Sequence, residues 1–196
     1  LDRNEIFVAI VLAAGRGERF GGGKLAATLA GRPLLDHAMA GALASPAAEV
    51  IVVARPGTEV PADPRVHLVT LASAALSDSL RAGLAAAKGV KGEAAGALIF
   101  LGDMPLVPRD IGARLMAAIG EAPAALPEWR GKPGHPVLLA RSAFALADSL
   151  VGDEGLGRAL RGLAGVVRLQ TEDEGVVLDV DRAEDLADIA RRLNGS

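Results

Sequence analysis

The 196-residue sequence predicts a three-layer α/β fold on a mixed, mainly parallel sheet. Three observations carry that expectation. Continuous apolar runs bounded by turn signals recur along the chain, as in strands buried on both faces. Segments with helical spacing separate most of them, the alternation expected of helices packed on both sides of a parallel sheet. The apolar excess is mostly alanine, with four phenylalanines, one tryptophan and no tyrosine, which suits a core of small and branched aliphatics.

The strand candidates are Ile6 to Ala14, Val50 to Ala54, Val66 to Leu71, Ala95 to Leu101 and Val137 to Ala140, with shorter β-rich pieces at Val166 to Leu169 and Val176 to Val180. Helical spacing marks Leu34 to Leu43, Ser77 to Ala87, Arg109 to Ile119, Ser142 to Leu150, Gly157 to Leu163 and Ala183 to Leu193. Arg55 to Pro64, with three prolines, reads as a surface loop. The proline-rich stretch Glu121 to Gly134 breaks the alternation and is expected to build a subdomain over the site. With no internal repeat or low-complexity linker, residues 1–196 read as one domain.

Net charge is −3, so the global field gives no reason to expect nucleic acid or an anionic membrane as partner, and any anion must be held locally. The absence of cysteine excludes disulfides, thiolate ligands and thiol nucleophiles. No apolar run approaches membrane-spanning length, and the first one follows Asp2 and Glu5 instead of a basic signal region. A soluble cytoplasmic protein is the expectation.

The first strand runs into LAAGRGERFGGGK, residues 12–24. A loop at the carboxyl end of a parallel strand is where such sheets bind ligands. Glycines 15, 17, 21, 22 and 23 let backbone amides turn toward an anion, while Arg16, Arg19 and Lys24 supply charge. Two better-known phosphate loops fail here. The P-loop pattern meets Glu18 where it needs glycine and Leu25 where it needs Ser or Thr, and the dinucleotide fingerprint meets Phe20 where it needs a small residue. A polyphosphate cradle of another kind remains.

Carboxylates for a hard cation follow. The run Ala95 to Leu101 ends in Gly102-Asp103-Met104-Pro105, placing Asp103 at the carboxyl end of a central strand, and a carboxylate there suits Mg²⁺. Near the C-terminus, Leu178-Asp179-Val180-Asp181 puts two aspartates on one face by strand period. One is expected to ligate metal and the other to cap the following helix, with Asp179 the preferred ligand.

Leu12, Ala13, Ala14, Gly15, Gly17, Arg19, Gly21 and Lys24 together resemble the L-A-A-G-x-G-x-R-x-G-x-x-K signature of nucleotidyltransferases with the nucleotide-diphosphosugar transferase fold, a Rossmann-like architecture. Further segments narrow the resemblance to molybdenum cofactor cytidylyltransferases and related molybdopterin nucleotidyltransferases. SDSLRAGL at 77–84 resembles their SSSLRAGL, KPGHPV at 132–137 their R-x-G-H-P-V, GDEG at 152–155 their G-D-x-G turn, and VLDVDRAEDL at 177–186 their closing D-x-D-T-P-E-D-L. Departures fall at Asp78 for serine, at Ala74 and Ala75 where glycine is frequent, at Lys132 for arginine, and at Arg182 and Ala183 for Thr-Pro.

The resemblance implies a Mg²⁺-dependent transfer of CMP from CTP to the terminal phosphate of molybdopterin, releasing pyrophosphate. Leu12 to Gly17 and Ser79 would bind nucleotide, Arg19 and Lys24 would neutralise phosphate charge, Asp103 and Asp179 would hold Mg²⁺, and His135, Arg158 and Asp181 would lie on the acceptor side. A molybdoenzyme or its chaperone would be a partner. Ala14 leans the base toward CTP, since guanylyl-transferring relatives carry glycine there. Three alternatives stay open: guanylyl transfer to the same cofactor, nucleotidyl transfer to a sugar phosphate or other small phosphate, and a non-catalytic nucleotide- or cofactor-binding protein. His37, His67 and Trp129 read as structural residues, Trp129 as packing or pocket wall.

Overall fold

A computed structural model describes residues 5–73, 75–90 and 93–194. Strand β1 (Ile6–Ala13) leads through two short 3₁₀ turns (Glu18–Phe20, Lys24–Ala26) to a small hairpin of β2 (Thr28–Leu29) and β3 (Arg32–Pro33). Helix α1 (Leu34–Ala44), β4 (Glu49–Ala54), β5 (Val66–Thr70), α2 (Leu76–Lys88), β6 (Ala94–Leu101) and α3 (Ile111–Ala118) follow. The second half holds β7 (Ala124–Trp129), β8 (Lys132–Pro133), β9 (Val137–Ala140), a 3₁₀ helix (Arg141–Ser149), α4 (Leu156–Arg161), β10 (Val167–Gln170), a 3₁₀ turn (Glu174–Val177) and α5 (Asp185–Asn194).

The main sheet runs β10-β7-β9-β6-β1-β4-β5, with β8 paired to the end of β7. Strands β5, β4, β1 and β6 are mutually parallel. Strand β9 is antiparallel to both β6 and β7, which returns β7 to the direction of β6, and β10 runs parallel to β7. The carboxyl ends of β1, β4, β5, β6 and β7 therefore share one edge of the sheet, and their loops build the site. The expected mixed, mainly parallel three-layer fold is the fold observed.

Alternate residues of β1 feed two cores. Phe7, Ala9 and Val11 pack with α1 and α3 through Met39, Ile111 and Leu115, while Val8, Ile10 and Leu12 pack with α2 through Leu80 and Leu84. Each fully buried leucine of this kind contributes about 1.5–3 kcal/mol. A third cluster of Leu29, Leu34, Val180 and Ile189 fastens α5 beside the β2–β3 hairpin.

Two expectations need correction. Residues 121–134 do not form a subdomain: Ala124–Trp129 is a sheet strand and only its hairpin with β8 rises beyond β9. Pro127 is tolerated because it lies between the residues paired with β9 (124 and 125) and those paired with β8 (128 and 129), where its carbonyl accepts the Gly134 amide at 2.8 Å. Residues 176–180 are not a strand either. The Asp173 carboxylate accepts the Gly175 amide at 2.8 Å and folds 174–177 into a 3₁₀ turn. From this turn onward the chain makes single cross-links to two loops instead of a ladder: the Val176 carbonyl accepts from the His135 amide (2.8 Å), and the Val180 amide donates to the Asp103 carbonyl (2.9 Å).

Candidate active site

The loop after β1 is shaped by glycine where side chains would not fit. Gly17 has φ 61°, and a Cβ there would stand 2.9 Å from Lys24 Cβ, so the loop closes on itself only with hydrogen at this position. Gly15, by contrast, faces open space, and the amides of Gly15 and Arg16 have no backbone partner among the described residues. Amides left open beside cations are what an anion site requires.

The loop forms one wall of a crevice of about 1010 Å³. Ala13, Gly15, Arg16, Gly23 and Lys24 line it on this side, Pro33, Leu35 and Asp36 from the start of α1, and Arg55 to Pro61 on the other. The loop 55–61, read from sequence only as surface, is thus a wall of the crevice. Its position follows from the register, since Ala54 lies opposite Ala13 and the two loops leave the sheet side by side. Arg55 is half-buried and has no ion-pair partner among the described residues.

Lys24 joins this crevice to a cluster of carboxylates. Its Nζ donates to Asp103 Oδ2 at 2.6 Å and lies 4.0 Å from Asp181 Oδ1, with only 13% of its side chain exposed. Arg19 donates to the other oxygen of Asp181 at 2.8 Å and is itself 76% exposed. Asp181 is therefore not the helix cap. The Asp185 carboxylate takes that role by accepting from the amides of Asp181 and Arg182, at 2.8 and 2.7 Å. No local sequence signal announces the Arg19–Asp181 and Lys24–Asp103 pairs, which span 162 and 79 residues.

Asp179 lies on the same crossing segment, reached by solvent but partly stripped of hydration by its surroundings. That desolvation raises its pKa above the ordinary carboxylate range, and repulsion from Asp103 and Asp181 adds to it against a smaller opposing pull from Lys24. A folded-state pKa above the unfolded value favours folding at low pH, and this contribution is lost as pH rises through the folded value. At neutral pH the charged Asp179 therefore opposes folding. Asp179→Asn is expected to raise the melting temperature slightly at pH 7 and to leave it unchanged at low pH, where the carboxyl is protonated, as measured by thermal unfolding.

His135 follows the β7–β8 hairpin, joined to Pro136 by a cis peptide. Burial pulls its pKa down, the Ile99 carbonyl and the Asp103 charge opposing, so the imidazole is neutral. Its Nδ1 faces the Ile99 carbonyl at 3.4 Å, and because a carbonyl only accepts, Nδ1 carries the proton and Nε2 is the acceptor. Gly134 is needed for the crossing of 176–180: a Cβ there would be 2.4 Å from the Val176 carbonyl. Gly134→Ala is expected to lower stability by about 1–3 kcal/mol through the displaced crossing and to reduce transfer as well. Thermal unfolding tests the stability change, and the activity proposed below tests the other.

The remaining candidates lie further out. Ser79 is buried inside α2, its hydroxyl donating to the Ala75 carbonyl at 3.2 Å. Asp78 accepts from Ser73 and Arg81, both at 2.5 Å, and these bonds hold its pKa down. Ala74 lies outside the described residues. Arg158 is exposed on α4 and paired with Glu154, with no contact to the Asp103 cluster among the described residues. His37 bonds the Leu29 carbonyl at 2.7 Å. Leu12 and Ala14 are buried beneath the loop.

No group of three or more His, Asp or Glu side chains among the described residues is arranged to hold a metal unaided. Mg²⁺ commonly takes only one or two carboxylates and completes its shell with substrate phosphates and water. Asp103 and Asp179, whose mutual repulsion a cation would relieve, suit that arrangement. Among the described residues no helix is long and apolar enough to cross a membrane.

Residues 9–171 match the MobA-like NTP transferase domain. The chain is 28% identical to the purine catabolism protein PucB of Bacillus subtilis (strain 168), over 97% of this chain and 98% of that protein. It is 37% identical to a 2-C-methyl-D-erythritol 4-phosphate cytidylyltransferase of Cereibacter sphaeroides, over 66% of this chain and 64% of that enzyme. The crystal structure of the Rv0371c homologue from Mycobacterium sp. strain JC1 superposes with a TM-score of 0.83 at 29% identity, covering 96% of this chain and 97% of that one. With the family match spanning most of its length, the chain belongs to the MobA-like NTP transferase domain family and is a nucleotidyltransferase.

Proposed function

We propose that residues 1–196 act as one domain that transfers CMP from CTP to the terminal phosphate of a molybdopterin-type acceptor, releasing pyrophosphate. The observation that carries the transfer chemistry is the Arg19–Asp181 and Lys24–Asp103 pairing, which sets phosphate-binding cations against carboxylates suited to a metal at the rim of the glycine loop. The choice of CTP rests on Ala14 and on similarity to a cytidylyltransferase. The acceptor rests on the segments 77–84, 132–137, 152–155 and 177–186.

The attacking group is an oxygen of the acceptor phosphate, largely ionised at neutral pH, so no side chain has to remove a proton. The open amides of Gly15 and Arg16 and the ammonium of Lys24 hold the triphosphate. Arg19 and Lys24 oppose the charge that grows on the departing pyrophosphate, and preorganised charge of this kind is usually the largest catalytic term. Asp103 and Asp179 would hold a divalent cation such as Mg²⁺, which when bound would supply further charge neutralisation. His135, neutral and with Nε2 as acceptor, takes a hydrogen bond from the acceptor molecule.

Pyrophosphate release from each of the four nucleoside triphosphates, with and without molybdopterin extracted from a molybdoenzyme, tests the reading. Release is expected with CTP and only with acceptor. No release with any nucleotide would favour a binding protein, and release with a sugar phosphate alone would move the enzyme to another acceptor. Ala14→Gly is expected to shift the CTP-to-GTP ratio of kcat/KM about tenfold toward GTP, the scale of one methyl group in a pocket. An unchanged ratio in steady-state kinetics removes Ala14 as a selectivity element.

A further inference from the structure

The β7–β8 hairpin carries a cationic tip that the nucleotide chemistry does not use. Arg130 and Lys132 are exposed there, and their charged groups lie 4.9 and 5.8 Å from the centre of the Trp129 ring. Neither has a carboxylate partner among the described residues, although the protein is acidic overall and the neighbouring Arg168 is paired with Glu128 at 2.8 Å. Arg130 and Gly131 both have positive φ, 48° and 78°, as a tight two-residue hairpin turn demands. The turn fixes the course of the tip, and both cations lie within cation–π range of one aromatic ring.

Register fixes where the tip stands. Leu98 of β6 and Ala125 of β7 both lie opposite Leu138 of β9. Four residues further along, β6 reaches Gly102, next to Asp103, and β7 reaches Trp129. The two points are separated by two strand spacings, roughly 10 Å, and the segment Gly134–His135 lies between them. The crossing chain 176–180 covers the same line, bonded to His135 at one end and to Asp103 at the other. A path therefore runs along the rim from the metal carboxylate past a neutral imidazole to a preformed pair of cations. It lies on the side of β6 away from the crevice that holds the triphosphate loop.

We propose that Trp129, Arg130 and Lys132 form the arm that receives the far end of the acceptor, an anionic or electron-rich group roughly 10 Å from the phosphate that attacks. This deepens the acceptor assignment and rests on the nucleotidyltransferase reading, in that the acceptor phosphate must reach Asp103. An acceptor of that length with a π-rich or negatively charged head fits the arm; a short sugar phosphate reaches His135 and stops.

Trp129 is the only tryptophan, and there is no tyrosine, so intrinsic fluorescence reports on the arm alone. Titration of the wild-type protein with molybdopterin, in the presence of a non-hydrolysable CTP analogue and Mg²⁺, is expected to change Trp129 emission, whereas the CTP analogue alone leaves it unchanged. Arg130→Asn, which keeps a residue tolerant of positive φ, combined with Lys132→Gln is expected to raise the KM for acceptor at least tenfold. The KM for CTP should stay within twofold and the melting temperature unchanged. Transfer to molybdopterin with wild-type acceptor KM in the double variant and silent fluorescence overturns the arm while leaving the enzyme assignment intact. If ribose 5-phosphate is the acceptor instead, with a KM that the double variant leaves unchanged and no change in fluorescence, the arm and molybdopterin fall together while the nucleotidyltransferase reading stands. If neither compound is an acceptor and neither moves the fluorescence, both readings fall.

Discussion

Asp103→Asn is expected to abolish most transfer while leaving a folded protein that still binds nucleotide. The substitution keeps the size of the side chain and the backbone carbonyl that receives the Val180 amide, so the crossing segment stays in place. It removes the negative charge that faces Lys24 at 2.6 Å, and with it a hard ligand for the divalent cation. That cation matters most when charge moves onto pyrophosphate, so the loss falls on the chemical step more than on ground-state binding. A fall of at least about a hundredfold is expected, in line with removal of one preorganised electrostatic partner. The Lys24–Asp103 pair is mostly shielded from water, so stability should also drop, by about 1–2 kcal/mol, between the values for exposed and buried pairs. Single-turnover kinetics at saturating CTP and Mg²⁺ decide the matter: a wild-type rate would remove Asp103 from the metal site. Partial recovery with Mn²⁺, which accepts mixed ligands more readily, would point to direct contact.

The parts of this site that could be read from sequence are those held by neighbours in the chain. The apolar run of β1 and the glycines beyond it announce a strand and the tight loop after it, because full burial demands one pattern and a tight loop the other. Asp103 follows β6 for the same reason. What was hidden depends on distant partners. Strand β7 is hidden in a stretch that reads as a subdomain, because Pro127 and the surrounding prolines break the alternation, and only the gap between β9 and β8 explains how a strand accommodates one. The 176–180 segment has strand composition, yet the partners for its amides and carbonyls are Asp103 and His135. Asp181 has the place of a helix cap in sequence, but Asp185 satisfies those amides and frees it for Arg19 and Lys24. The 55–61 wall of the crevice is ordinary loop until the register of β1 and β4 places it beside Gly15.

Lys24→Ala and Arg19→Ala are expected to separate in stability although both depress transfer. From sequence alone both cations should point into a solvent-filled crevice, where substitution lowers turnover far more than stability. Arg19 meets that description: its side chain is 76% exposed and its bond to Asp181 is a surface pair, worth about 0–1 kcal/mol. Lys24 does not. Only 13% of its side chain is exposed, and it bonds Asp103 at 2.6 Å, lies 4.0 Å from Asp181 and also offsets the charge of Asp179. Removing it leaves Asp103 without its cation and Asp179 repelled by Asp103 and Asp181 with no nearby offset, so Lys24→Ala should lower stability by about 2–3 kcal/mol at neutral pH, near the lower limit for breaking a buried pair. A divalent cation should restore part of that stability in the variant, because it neutralises the same carboxylates. Turnover should fall at least about a hundredfold for Lys24→Ala and less for Arg19→Ala, whose guanidinium can be partly replaced by solvent and counterions. Chemical denaturation of both variants with and without Mg²⁺, followed by single-turnover transfer, tests each step. Equal destabilisation of the two variants, or no effect of Mg²⁺ on Lys24→Ala, would mean that Lys24 does not organise the carboxylate cluster.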